Sequence, residues 1–165
     1  MKQHIYFPYI LIVVVITAAG CSREQRPEGF PRLYSCAITI TQEGAPVSDA
    51  RVSLVGPESA RWAVGGITNN AGTAEIRTHG FAGAPKGQYK IVLEKLETEG
   101  RGQITDESGR PTGWEDMRIY SLVDKKYEKA EDTPLEIDIQ GAVRQTFEID
   151  KSERRLVETI RQGMP

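Results

Sequence analysis

Few side chains in this sequence belong to the types that commonly carry out chemistry. Its 165 residues include two cysteines, Cys21 and Cys36, and two histidines, His4 and His79. A zinc site takes roughly three or four ligands, so this count excludes a site built from Cys and His. His79 could be a metal ligand, a general base or a loop residue at a strand end. Because it has no His or Cys partner, we favour a surface loop residue.

Carboxylates and hydroxyls form no recognisable catalytic pattern either. An acidic cluster of Asp124, Glu128, Glu131 and Asp132 could attract Ca²⁺. A calcium loop, however, needs about six to eight oxygen ligands in a defined order, and the spacing D-x-D-x-D-G is absent. The segment ESGR at 107–110 lacks the Gly-x-Ser-x-Gly pattern of a nucleophile elbow. We therefore predict no catalytic residue, no metal and no cofactor.

Cys36 lies on a predicted strand at a position that indicates burial. Tyr34, Cys36, Ile38 and Ile40 alternate along the chain and so share one face of that strand. A reactive thiol would need a nearby base, whereas a cysteine among apolar side chains is inert. We interpret Cys36 as a small apolar core residue.

The N-terminus is typical of a segment that directs export. Lys2 precedes an apolar stretch over residues 5–19, and the small residues 18–20 lead to Cys21. A positive start, a short apolar centre and small residues before a cleavage point form the pattern of a secretory signal. The alternative, a retained transmembrane helix, needs about 20 apolar residues, more than this stretch offers. We predict a signal peptide over residues 1–20.

The segment AAGC at residues 18–21 resembles the lipobox of bacterial lipoproteins. In that family the chain is cut before the cysteine, whose sulfur carries diacylglycerol. The resemblance implies that Cys21 is the lipidation site, that residues 21–33 form a lipidated tether, and that acyl chains hold the protein at a membrane of the cell envelope. Ser22 is not the Asp that retains many such proteins at the inner membrane, which favours the outer membrane.

Apolar and polar residues alternate along short segments of the remaining chain, as in strands with one buried face. These segments cover residues 34–41, 50–55, 66–68, 73–78, 88–94, 134–139 and 145–149. The turn 69–72 predicts a hairpin over residues 67–78. The residues expected to face the core are Ile38, Ile40, Val52, Leu54, Ile76, Tyr89, Ile91, Leu93, Leu135, Ile137 and Phe147. Seven such strands predict an all-β, antiparallel seven-stranded sandwich of prealbumin or immunoglobulin type over residues 34–150.

Two segments lack this alternation. Residues 95–120 are polar and rich in glycine, which predicts a long loop that is either functional or mobile. Leu156, Val157 and Ile160 repeat at helical spacing, which predicts a short C-terminal helix within a helical tail over residues 151–165.

Four segments in order resemble carboxypeptidase regulatory-like and transthyretin-like domains. They are GAPVSDARV at 44–52, TNNAGTA at 68–74, GAPKGQYKI at 83–91, and KYE at 126–128 with TPL at 133–135. The resemblance implies a seven-stranded prealbumin-like sandwich and no catalysis. Peptidases that carry such a domain keep their zinc site in a separate domain.

Charge and resemblance together leave two hypotheses for function. A formal net charge of −2 and the lack of a basic cluster exclude a nucleic-acid partner. The first hypothesis is a membrane-tethered, non-catalytic binding or structural domain of the cell envelope, with a protein or polysaccharide partner bound through residues 95–120. The alternative is a small transthyretin-related hydrolase, or an accessory domain of a secreted enzyme system. That hydrolase branch depends on several histidines and a C-terminal segment that this chain lacks, so we predict that the protein is not an enzyme.

Overall fold

A computed structural model describes residues 26–100 and 102–160. The chain divides into two units, Met1–Phe30 and Pro31–Pro165. Of the first unit only residues 26–30 are described, where the Phe30 amide donates to the Pro27 carbonyl at 3.1 Å. The predicted signal peptide and the predicted lipidation site Cys21 lie outside the described residues. In the described part of the chain, no helix is long and apolar enough to cross a membrane.

The second unit consists of short β-strands and, among its described residues, one 3₁₀ turn, Lys125–Tyr127. The strands in chain order are β1 (Leu33–Tyr34), β2 (Cys36–Gln42), β3 (Ala45–Pro46), β4 (Arg51–Val55), β5 (Val64–Ile67), β6 (Thr73–Glu75), β7 (Arg77–Thr78), β8 (Phe81–Ala82), β9 (Ala84–Pro85), β10 (Gly87–Glu94), β11 (Leu96–Glu99), β12 (Gly102–Thr105), β13 (Pro111–Glu115), β14 (Met117–Ser121), β15 (Glu136–Ile139), β16 (Val143–Ile149) and β17 (Arg155–Ile160). The prediction of an all-β fold is confirmed.

The largest sheet has six strands in the order β15-β10-β4-β5-β7-β8, and every neighbouring pair is antiparallel. Along β10 the residues Tyr89, Ile91 and Leu93 are buried, and the residues between them are partly exposed. The same alternation buries Val52 and Leu54 in β4. One face of this sheet therefore belongs to the core, as the period of two predicts.

The second sheet has four strands, with β2 at its centre. Strand β16 lies on one side of β2, while β3 and β6 share its other side. Buried side chains of both sheets form one apolar cluster, and we call these two sheets the sandwich. All predicted inward residues are buried except Phe147, which is half-buried against the cluster.

Three details of the predicted sandwich are wrong. The described residues form seventeen strands in place of the seven predicted, and many of these strands are short. Strand β16 runs parallel to β2, with Val143 opposite Cys36 and Ile149 opposite Gln42, so the sandwich is not purely antiparallel. Alternation of apolar residues reports which face is buried and carries no information about strand direction, which explains the error.

The predicted hairpin over residues 67–78 needs the third correction, because only the end of its second strand pairs with the strand before the turn. Its turn exists, because the Gly72 amide donates to the Asn69 carbonyl at 2.8 Å and Gly72 has φ +71°. After the turn, β6 pairs with β2 and not with β5, whereas β7, which holds the last two residues of the predicted hairpin, pairs antiparallel with β5. A turn fixes the local chain direction, whereas strand partners depend on which sheet offers an open edge.

Residues 95–120 are not the predicted loop. They form strands β11 and β12, a turn, and strands β13 and β14, which run out and back as one long hairpin. Strand β17 adds to β14 and completes a three-stranded sheet in the order β11-β14-β17. We call residues 95–122 together with β17 the arm, and the part over residues 102–115 its tip.

The predicted C-terminal helix is also wrong. Residues 155–160 form strand β17 instead, and residues 161–165 lie outside the described part of the chain. A helix of about three turns is marginal in water without packing. Pairing with β14 satisfies the backbone groups along one edge of this segment, and Val157, Thr159 and Ile160 are β-branched residues that suit a strand.

Candidate functional site

The two sequence-predicted residues nearest to chemistry, Cys36 and His79, lie in different surroundings. Cys36 is buried in the core cluster, and burial together with the charge of Glu75 raises the pKa of its thiol to about 11. A protonated, buried thiol is a poor nucleophile, which agrees with its interpretation as a core residue. His79 is exposed and has φ +48°, and its ring lies 5.5 Å from that of Trp62 in an edge-to-face contact.

The four residues of the predicted acidic cluster make different contacts and do not form one site. Asp124 caps the 3₁₀ turn by accepting from the Lys126 amide at 3.0 Å. Glu128 accepts hydrogen bonds from Ser121 and Arg155, and Glu131 and Asp132 are exposed. Within the described residues no three metal-ligating side chains come together.

The Ser-containing segment 107–110 forms the end turn of the arm tip. The Asp106 carboxylate accepts from the Ser108 hydroxyl at 2.6 Å and from the amides of Ser108 and Arg110. These hydrogen bonds, that of the Ser108 hydroxyl first, lower the pKa of Asp106. The Ser108 hydroxyl is therefore engaged in closing a turn.

Arg154 fastens β17 to the rest of the arm. Its guanidinium stacks 3.5 Å from the centre of the Tyr120 ring and donates to Glu97 at 2.9 Å and Glu99 at 3.2 Å. Hydrogen bonds from Tyr120 and then from Arg154 lower the pKa of Glu99. One side chain thus links the segment before β17 to both β11 and β14 on one face of the arm.

On the opposite face of the arm, Glu128 joins two strands. Its carboxylate accepts from the Ser121 hydroxyl of β14 at 2.6 Å and from the Arg155 guanidinium of β17. The ion pair with Arg155 is only partly exposed. Glu128 follows the 3₁₀ turn, so this contact ties the arm to the chain that returns to the sandwich.

A groove lies between this face of the arm and the outward face of the six-stranded sheet. Its volume is about 440 Å³. Its aliphatic lining comes from Val92 of β10 and from arm residues Leu96, Ile119 and Val157. Arg51, Ser53, Glu94, Glu128 and Glu158 supply the polar lining.

The chemistry of the groove is that of an aliphatic floor with an acidic rim. Arg51 lies 3.7 Å from Glu94, and Glu128 is engaged by Arg155. Among the described ion pairs, Glu158 has no partner, so the rim carries excess negative charge. Volumes of roughly 300–1,000 Å³ are typical of sites that bind small groups, which suits one or two inserted side chains.

Sequence reasoning singled out residues 95–120 but missed β17, which supplies one wall of the groove. The available signal was the β-branched composition of residues 157–160, which competed with helical spacing of the apolar residues. Comparison of the chain with models of known protein families, with curated proteins and with solved structures finds no match in any of the three.

Proposed function

We propose that this protein is a lipid-tethered, non-catalytic binding domain of the cell envelope that engages a protein partner through its arm. The observation that carries the proposal is the groove, where Leu96 and Val157 remain about half exposed beside an acidic rim. Exposed aliphatic side chains that converge in a concave site are typical of interaction surfaces. An aliphatic floor suits an apolar side chain of a protein, whereas sugars favour aromatic platforms.

The arm also has the construction of a presented surface. Its strands β11 and β17 contain no buried residue, so their side chains contribute little to the core. Ion pairs and the Tyr120 stack hold these strands in place instead. Strands retained without core burial support a binding role for residues 95–120, the segment that the sequence analysis predicts for it.

The test compares two matched lysine substitutions in the intact, detergent-extracted protein. Leu96→Lys places a charge in the groove, and Val55→Lys makes the same kind of change at an exposed residue outside it. We expect the native chain and Val55→Lys to retain the same protein partner in a pull-down from envelope extract. Leu96→Lys should lose that partner by tenfold or more, about 1.4 kcal/mol.

A shortened arm separates the groove from the tip. Gly100 lies close to Asp116, since a Cβ added at Gly100 would be 2.3 Å from the Asp116 carbonyl oxygen. Deletion of residues 101–115 can therefore join Gly100 to Asp116 in a short turn. Because Glu99 pairs with Arg118, the sheet β11-β14-β17 remains. Capture that persists in this variant assigns binding to the groove. Equal capture by Leu96→Lys and the native chain overturns the proposal, and protease-resistant capture points to a polysaccharide instead.

The tether is tested separately by the mass of the membrane-extracted protein. We expect a chain that begins at Cys21 and carries the added mass of acyl groups, in the outer-membrane fraction. A chain that still begins at Met1 contradicts lipidation, and recovery in the inner-membrane fraction contradicts the sorting prediction. Neither result bears on the groove.

A further inference from the structure

Strand β17 has one paired edge and one open edge. Within the described residues it pairs only with β14, and it stands at the end of the sheet β11-β14-β17. Leu156 is 51% exposed and Val157 is 52% exposed, although both lie in a strand. An edge with unpaired backbone groups and apolar side chains is a template for pairing with another strand.

A bulge in β17 decides which of its side chains share a face. Leu156 is opposite Tyr120 and Glu158 is opposite Ile119, so Val157 is an extra residue. Arg155 and Glu158 consequently lie opposite Ser121 and Ile119, which are two residues apart on β14. In a regular strand, residues three apart point to opposite faces, but here Arg155 and Glu158 lie on the same one.

This arrangement makes the sequence of β17 complementary to itself. When two copies of β17 run antiparallel with Arg155 of one opposite Glu158 of the other, the reciprocal pair forms by symmetry. Between these pairs Leu156 lies on the face of Tyr120 and Val157 on the face that lines the groove, so each is near the same residue of the other copy, across the symmetry axis. Opposite charges placed directly across an antiparallel pair stabilise it, and apolar neighbours on one face add to this.

We propose that the open edge of β17 pairs with β17 of a second copy of this chain, which joins two arms into one continuous sheet. Each Arg155 then contacts Glu158 across the interface in addition to its own Glu128, because a guanidinium has five donors. The pairing leaves Leu96, at the far side of the sheet, uninvolved. This inference concerns self-association; Val157 and Glu158 also line the groove, so its test measures the association of two copies and not the capture of a partner.

The length of the open edge of β17 sets the expected affinity of the dimer. Six residues with a bulge bury less surface than the roughly 1,200–2,000 Å² of stable interfaces, so the dimer is weak. We expect a dissociation constant in the range of about 10 μM to 1 mM in solution. Two chains held on one membrane by the proposed tether would meet at a higher effective concentration, which favours the dimer there.

The experiment measures association of the intact protein by sedimentation in a large excess of detergent over protein. Leu156→Lys introduces a charge at the edge, Glu158→Lys replaces the attractive pair by a repulsive one, and Val55→Lys is the matched control. We expect the native chain and the control to dimerise with the same dissociation constant, and both β17 variants to dimerise at least tenfold more weakly. A native chain that is monomeric at about 1 mM overturns the proposal.

Hydrogen exchange of the native chain provides a second test without any substitution. Pairing protects backbone amides, so exchange of residues 155–160 should slow as protein concentration rises, while exchange of the paired strand β10 should stay constant. Exchange of β17 that is independent of concentration, or association unchanged by both Leu156→Lys and Glu158→Lys, contradicts pairing through this edge.

Discussion

The sandwich and the arm are built from the same kind of strand but are held together by different forces. In the sandwich, strands such as β4, β10 and β15 bury every second side chain in one apolar cluster. In the arm, β11 and β17 bury none, and contacts such as the stack of Arg154 on Tyr120 replace the core. Burial stabilises the first region, while backbone pairing and surface charges hold the second.

This difference in burial indicates which region can carry function. Core side chains are fixed by packing, because a change of even one methylene there costs free energy. The side chains of β11 and β17 are not buried, so they can be selected for a partner with little effect on folding. The groove lies where the two regions meet and combines a rigid wall from β10 with a wall from the arm.

The largest expected effect is on the stability of the sandwich. Ile91→Ala or Ile137→Ala removes a fully buried side chain and should lower the free energy of unfolding by about 2–5 kcal/mol. Leu96→Ala or Leu156→Ala in the arm should lower it by less than about 1 kcal/mol, because both side chains are half exposed. Denaturant unfolding monitored by circular dichroism measures both. Equal losses of unfolding free energy for the sandwich and arm variants would contradict the conclusion that only the sandwich is stabilised by burial.

A smaller effect is expected from a buried hydroxyl in the sandwich. Thr68 donates to the Val47 carbonyl at 2.6 Å and accepts from the Ala50 amide at 2.8 Å. Thr68→Val leaves both backbone groups without this partner and should cost about 1–3 kcal/mol in the same unfolding measurement. The matched change Thr98→Val, at an exposed position of β11, should alter stability by no more than about 0.5 kcal/mol.

Alkaline pH should weaken the sandwich through Cys36. The thiol ionises near pH 9.0 in the unfolded chain, whereas burial raises its pKa to about 11 in the folded protein. Between these values unfolding releases a proton, so stability falls as pH rises, by at most about 1.4 kcal/mol per pH unit. The contribution of the thiol is the difference between the pH dependences of the unfolding free energy measured for the native chain and for Cys36→Ala. An identical pH dependence in the two proteins would show that the thiol does not contribute.

The smallest effect is local to the arm. Arg154→Ala removes the Tyr120 stack and the contacts with Glu97 and Glu99, so the amides of β17 should exchange faster with solvent. Exchange in β10 should not change. Lys151→Ala, which removes only an exposed contact with Glu43, is the control. Faster exchange throughout the sandwich after Arg154→Ala would mean that the two regions unfold together.

The predicted site was recovered only in part. Residues 95–120 stand out in the sequence, but their strands do not, because β11 buries no side chain and β14 buries only Ser121, so no clear apolar alternation marks them. The C-terminal segment was predicted as a helix from the spacing of Leu156, Val157 and Ile160. Its pairing with β14 joins residues 34 to 43 positions apart in the chain, a long-range interaction that local patterns do not contain.

The sequence by itself determined the β-class of the fold, the inward face of the sandwich strands and the burial of Cys36. These properties follow from the period of two and from the solvent preference of each side chain, which are local quantities. Tertiary structure alone decided that β16 runs parallel to β2, that β6 leaves its hairpin for another sheet, and that β17 is a strand. Each of these outcomes depends on where an open strand edge lies after the chain has folded, because a backbone amide pairs with whichever edge reaches it.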